Sequence, residues 1–154
     1  MLYNALLCLH LLAVVVWVGG MALMHFVVRP AVAAALEPPQ RLPLMTQILQ
    51  GFFRWVTAAV LLILATGIAM MRWLESGGAT PPVYLHLMMG IGLVMALVFA
   101  WIRLREFPLL QKAVAISTWP VAGAALLRIR RLVSVNLALG VLTIVVAILG
   151  RTLA

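Results

Sequence analysis

Four long apolar stretches limit what this chain can fold into more than any other feature of its sequence. They cover approximately residues 5–28, 52–71, 83–102 and 132–149. A helix needs about 20 apolar residues to cross the hydrocarbon core of a bilayer, so each stretch is long enough to span a membrane. The sequence therefore predicts an all-α integral membrane protein. We expect one domain, residues 1–154, with four transmembrane helices running up, down, up and down.

The composition argues against the main soluble classes of protein. Of the 154 residues, 66% are apolar and 9% are charged, whereas soluble domains have about 25% charged residues. The net charge of +8 would by itself suggest nucleic-acid binding. The basic residues are spread between apolar runs, however, and that pattern is typical of membrane topology. No nucleic-acid partner is expected, and the lone Cys8 cannot form an internal disulfide.

Basic residues are distributed unevenly between the two sides of the predicted membrane. The connections after spans one and three hold nine of the eleven: Arg29, Arg41, Arg54, Arg103, Arg105, Lys112, Arg128, Arg130 and Arg131. The other side keeps only Arg72 and Arg151. Because cytoplasmic loops carry the excess of Lys and Arg, we predict both termini on the outer, periplasmic side of a bacterial-type inner membrane. The basic inner loops are then expected to contact anionic headgroups.

Prolines and capping residues predict where the helices stop. The segment 37–39 and Pro43 are expected to interrupt the chain after span one, because proline lacks a backbone N–H and crowds the preceding turn. A helix can then restart at Leu44. After the third span, Ser117 or Thr118 is expected to cap a long last helix, whose second half forms the fourth span.

Two histidines are predicted at matching depths in the membrane. His10 lies five residues into the first span and His86 three residues into the third. At about 1.5 Å rise per residue they fall within roughly 3 Å of one depth, near the outer face. Intramembrane ionisable groups are costly and commonly functional, and two opposed imidazoles can be the axial ligands of haem b. We therefore predict a bis-histidine haem protein that transfers electrons, or a haem-dependent oxidoreductase, with a redox partner that the sequence does not identify.

Neighbouring residues extend this haem hypothesis. Gly90 follows His86 by one helical turn, where a missing side chain would admit a flat ring. Arg72 ends the second span and would be able to pair with haem propionates, although an interfacial anchor explains it equally well. His25 lies about 22 Å along the helix from His10, so the two cannot share a metal. It is either a hydrogen-bonded structural residue or part of a second site.

Methionines support copper as the alternative ligand. Five of the nine fall near the outer ends of spans: Met1, Met70, Met71, Met88 and Met89. Thioether and imidazole groups suit Cu(I), although methionine is also a common gap-filler. The alternative is thus a copper-binding or copper-transporting protein that uses His10, His86, Met88 and Met89.

Carboxylate chemistry is not expected within the membrane. The chain has no aspartate and three glutamates, all of them predicted outside the spans, so paired acid–base catalysis is excluded. Any chemistry then belongs to a bound metal or cofactor. A structural subunit of a larger membrane complex is the third hypothesis, and the sequence leaves open a homo-oligomer.

Several short motifs are characteristic in their order and spacing: Leu9-His10, Trp17-Val18-Gly19-Gly20-Met21, His25-Phe26, Arg29-Pro30-Ala31, Glu37-Pro38-Pro39-Gln40-Arg41, His86-Leu87-Met88-Met89-Gly90, Trp119-Pro120 and Arg128-Ile129-Arg130-Arg131-Leu132-Val133. Together they resemble the CopD-type copper-resistance membrane family, and the similarity covers nearly the whole chain. The resemblance implies a role in copper uptake or resistance.

A broader similarity is to the HemJ-type protoporphyrinogen oxidases, four-helix membrane proteins that carry b-type haem. Their Leu-His and His-x-Lys-Leu patterns would fall on Leu9-His10 and on residues 86–89. Met88 stands where that family has lysine. The resemblance therefore implies haem ligation by His10 and His86, while the substitution argues against porphyrinogen oxidation.

Overall fold

Among the residues that the structure describes, 1–153, four helices are long and apolar enough to cross a membrane. In this computed structural model they are α1 (Leu2–Ala35), α2 (Pro38–Ser76), α3 (Val83–Ala115) and α4 (Trp119–Leu153). No strand is present within the described range. The predicted all-α fold with four spanning helices is confirmed. Each helix extends past the predicted span at one end or both.

The non-helical connection between α1 and α2 is shorter than the positions of the prolines led us to expect. The chain leaves the helical conformation only at Leu36 and Glu37, both extended, and Pro38 already begins α2. Proline suits a first helical position, since its fixed φ is helical and its missing N–H has no helical partner there. Pro43 lies inside α2, so the expected restart at Leu44 was wrong. Near the start of a helix, proline costs one hydrogen bond and the helix continues.

The predicted basic loop after the third span is also largely helical. α3 continues to Ala115, and only three residues separate it from α4. The cause is an apolar stripe on this extension, where Phe107, Leu110 and Ala113 are buried. Ser117 turns the chain with a φ of 55°, and α4 begins directly after Thr118, at the predicted position. The hydroxyl of Thr118 donates to the carbonyl of Ala113 at 3.1 Å, instead of forming the predicted capping bond to α4. The basic side chains therefore project from helix ends instead of from a flexible loop.

Helices α1 and α3 each contain a widened π turn just before a proline. Met24–Val28 precedes Pro30, and Ile102–Glu106 precedes Pro108. Proline cannot donate to the carbonyl four residues earlier, and its ring crowds that carbonyl. A single π turn relieves the crowding without ending the helix. α1 has a further π turn at Val15–Gly19, which no proline explains.

The helices form two antiparallel hairpins that pack against each other. α1 packs mainly on α2 and α3 mainly on α4, while α4 also contacts α1 and α2. α1 and α3 therefore lie diagonally, as expected for an up-down-up-down bundle. One apolar core joins all four helices. At its centre the ring of Phe53 makes edge contacts with Phe99 and Phe107.

Burial is concentrated in one half of the bundle. The half with the most buried side chains also contains Arg29, Arg41 and Arg130. We therefore call it the basic end. The other half, residues 2–12, 67–94 and 141–152, is the terminal end, and none of its side chains is buried. Many of its apolar side chains are exposed, as expected for a helical membrane protein in contact with lipid.

Candidate functional site

Helix register places His10 and His86 at one level of the terminal end. Val18 contacts Gly140, so His10, eight residues earlier on the antiparallel α1, comes level with Ile148. Tyr84 contacts Gly150, so His86, two residues later on α3, also comes level with Ile148. No hydrogen bond or ring contact joins the two imidazoles in the part of the chain described.

His10 is half-buried and held against α2. Its Nδ1 lies 2.8 Å from Thr66 Oγ1, and that hydroxyl donates its proton to the carbonyl of Leu62 at 2.6 Å. A hydroxyl carries one hydrogen, so when Thr66 donates to Leu62 it accepts from His10, in the tautomer that carries the proton on Nδ1. In that tautomer the lone pair of the ring is on Nε2. Ligating histidines in proteins are commonly oriented in this way, by a partner on the other ring nitrogen.

His86 has a weaker contact in a more exposed setting. Its Nδ1 lies 3.4 Å from the carbonyl of Pro82, which is a long and weak contact. A proton on Nδ1 facing this carbonyl leaves Nε2 free. The side chain is exposed on α3, in contrast to the half-buried His10.

The other predicted ligands divide between two faces of α3. Met89 lies three residues after His86, and both are exposed, so they share a helix face. Met88 is half-buried and lies on a different face. Gly90 is exposed, and an added Cβ there would contact nothing within 4 Å. Arg72 is exposed near the end of α2, so the structure assembles no enclosed slot from these residues.

His25 lies far from this level, at the basic end. Its Nδ1 is 3.2 Å from Ser134 Oγ, and that hydroxyl donates to the carbonyl of Arg130 at 2.9 Å. The side chain lines a small cavity together with Met24, Arg29, Met45 and Arg130. The guanidinium groups of Arg29 and Arg130 would repel a metal cation at this position. The hydrogen bond fits the structural interpretation of His25 better than a second metal site.

Four methionines lie in the core: Met21, Met24, Met45 and Met95 are all buried. The seven-residue spacing of Trp17 and Met24 from His10 predicts that this face of α1 points inward or packs on a partner, and both side chains are buried. Met21, Met45 and Met95 were not predicted, since the copper hypothesis relied on methionines near the outer ends. The contacts that these residues make with other helices could not be predicted from the spacing of residues within one helix.

Asn136 is a second residue that the sequence analysis did not develop. It is 1% exposed, and its Nδ2 donates to the carbonyl of Met95 at 3.0 Å. Its Oδ1 is buried and has no hydrogen-bond partner. The hydrogen bond of Asn136 joins α3 to α4. Its unpaired Oδ1 lowers the stability of the fold, because a buried amide oxygen without a donor is unfavourable.

A site rich in the usual charged ligands is absent from the described residues. Within residues 1–153, no group of three or more His, Cys, Asp or Glu side chains is placed to hold a metal ion.

The fold and these residues together define a multi-pass helical membrane protein. Residues 46–149 match the family model described as copper resistance protein D. Since this match covers more than half of the chain, the protein belongs to the CopD family, and the predicted resemblance is confirmed. The matched range includes His86, Met88 and Met89 but not His10 or His25.

The remaining comparisons found no similar protein. No curated protein and no solved structure matches the chain. The family match indicates copper and not haem, so it supports the copper alternative over the haem hypothesis. The predicted similarity to the HemJ-type proteins has no support in these comparisons.

Proposed function

We propose that this protein binds Cu(I) in the membrane and takes part in copper transport or resistance. The observation that carries this proposal is its membership of the CopD family. The chemistry of the helices agrees with it. The chain contains three histidines, nine methionines, one cysteine and no aspartate, so the soft and borderline metal ligands available to the helices are imidazole and sulfur groups.

The proposed copper ligands are at the terminal end. His10 and His86 each offer a free Nε2 at the level of Ile148, and Met89 adds a thioether on the same face as His86. An imidazole and a thioether three residues apart on a helix are neighbours. Met88, on the other face, is the less favourable donor. A second copy of the chain would also be able to complete the coordination.

The proposed orientation follows from charge. The basic end holds most of the arginines, so the positive-inside rule favours that end in the cytoplasm. Both termini and the copper ligands then lie toward the periplasmic side of the inner membrane. Copper would be bound from that side as cargo.

Haem b is the second candidate, because two histidines at one level with free Nε2 atoms are also what axial ligation requires. The exposed setting of His86, Met89 and Gly90 does not fit an enclosed ring. The haem hypothesis therefore has weaker support than the copper proposal. An electron-transfer role, which depends on haem, has the same weaker support. A redox partner is required only if haem is present.

Competition between the protein and a Cu(I) chelator tests the copper proposal. Under reducing conditions in detergent, we expect Met89→Leu to weaken Cu(I) binding by about tenfold or more, because it removes a ligand. Met88→Leu is the matched control, with the same change one residue away, and should have the smaller effect. Both substitutions roughly conserve volume. Sharp α and β bands in the reduced absorption spectrum, with no Cu(I) binding, would favour haem instead.

A further inference from the structure

The cavity at the basic end carries an inference independent of copper. It lies between α1, α2 and α4 and has a volume of about 30 Å³, enough for little more than a water molecule. Met24, Met45 and Leu49 form part of its apolar wall, while Arg29 and Arg130 supply positive charge. The cavity is too small to enclose a large ligand. A charged group can bind at its opening with one atom inside.

The positive charge around this cavity is not balanced by the protein. Arg29 is partly buried and lies close enough to Arg130 and Arg41 for their charges to oppose its own. The ion pair found among the described residues joins Arg128 to Glu106 at 2.8 Å and involves none of these three. Glu37 is one turn from Arg41 in the sequence, yet no ion pair forms between them in the described structure.

An anion would relieve this repulsion. Guanidinium groups bind phosphate oxygens in a planar, two-bonded geometry, and basic pockets between membrane helices commonly hold lipid headgroups. The cavity combines a cationic side with an apolar wall, and it belongs to the end of the bundle where positive charge concentrates. We propose that Arg29 and Arg130, which line the cavity, bind the phosphate of an anionic phospholipid from the adjacent leaflet.

The geometry of α1 supports this role for Arg29. The residue directly follows the π turn Met24–Val28 and precedes Pro30. Such turns redirect side chains and are frequent at functional sites. The same turn carries His25, whose hydrogen bond to Ser134 ties α1 to α4 beside the cavity. Arg29 and Arg130 are thereby held on facing helices.

Native mass spectrometry of the full chain in neutral detergent tests this proposal. Phosphatidylglycerol should bind to the wild type with clear preference over phosphatidylcholine. The double substitution Arg29→Gln/Arg130→Gln should weaken that binding roughly 30-fold, since each basic group contributes about a factor of five. The matched control is Arg103→Gln/Arg105→Gln. It removes two charges at the same end, from arginines that lie over the rings of Phe107 and Trp101, and should change binding by less than about threefold.

Four results would overturn the proposal. Equal losses in the two double variants would show general charge attraction. Equal binding of the two lipids would show that the site does not recognise the net negative charge of the headgroup. Binding of inorganic phosphate alone, with the same dependence on Arg29 and Arg130 and no retained lipid, would make free phosphate the ligand. If the glutamine variant fails to fold, Arg29→Lys/Arg130→Lys keeps the charge and should still bind several-fold more weakly; unchanged binding would contradict the guanidinium site.

Discussion

At the scale of single residues, hydroxyl groups position two histidines. Thr66 and Ser134 each donate to a carbonyl of their own helix and lie within hydrogen-bond distance of Nδ1 of a histidine on α1. In the tautomer with the proton on Nδ1, the hydroxyl accepts from the ring and Nε2 is the ligand atom. His10 thus has its ring oriented before any metal binds.

Thr66→Val tests that orientation directly. The substitution keeps the branched shape but removes the acceptor for His10, so the ring is free to rotate. We expect Cu(I) affinity to fall by about 10–100-fold, the usual effect of losing such a partner. Thr66→Ser retains the hydroxyl and should remain close to the wild type. Equal affinities for the valine and serine variants in chelator competition would show that Thr66 does not orient a copper-binding His10.

The sequence alone could predict the depth of the two histidines in the membrane but not the residues that surround them. The depths of His10 and His86 follow from counting residues along two helices, and the observed register gives the same level. Their exposure depends on which face of each helix meets a neighbour, and hydropathy hardly varies around these nearly all-apolar helices. The contrast between the half-buried His10 and the exposed His86 was therefore not predictable.

At the scale of helices, one glycine fixes how α4 meets its neighbours. Gly140 is buried, and a Cβ there would lie 2.9 Å from Val18 and 3.3 Å from Met95. α1 and α3 both approach α4 at this position because glycine has no side chain. Small residues at such crossings are typical of membrane helices.

Gly140→Ala should therefore destabilise the protein. Val18 is β-branched and cannot easily turn away, so we expect a loss of about 1–3 kcal/mol in the free energy of unfolding. Gly123→Ala, on the same helix and with nothing within 4 Å of its Cβ, is the control. It should be neutral or stabilising by up to about 1 kcal/mol. Unfolding in detergent measures both; equal values would contradict the close approach of the helices.

Helix ends were harder to predict than helix cores. The apolar stretches correctly indicated four spans, but hydropathy falls where charges begin, whereas the helices do not stop there. α3 continues because Phe107 and Leu110 recur on one buried face despite the nearby charges. Pro43 was misinterpreted because proline breaks the interior of a helix but is tolerated near its start.

At the scale of the whole molecule, charge and packing divide the protein into two ends. The basic end is well packed and carries Arg29 and Arg130, while the terminal end has no buried side chains in the ranges defined above. The proposed copper ligands and the proposed phosphate site therefore lie at opposite ends. On this account, copper and anionic lipid act on opposite sides of the membrane.

Cysteine labelling tests the orientation that this division predicts. In a Cys8→Ser background, Ala79→Cys lies in the turn after α2 and Ser117→Cys in the turn after α3. A membrane-impermeant maleimide should label position 79 in intact cells and position 117 only after permeabilisation, since the basic end is expected inside. The reverse labelling pattern would show that the protein is inserted the other way.

The most direct test of the central proposal is the metal content of the purified protein. Protein prepared under reducing conditions from copper-supplemented cells should contain copper in a fixed ratio to the chain and no comparable amount of iron. The double substitution His10→Ala/His86→Ala should lose most of that copper, while His25→Ala should retain it. Iron in place of copper, or copper retained after both substitutions, would contradict the account of this protein as a copper-binding membrane protein with ligands at its terminal end.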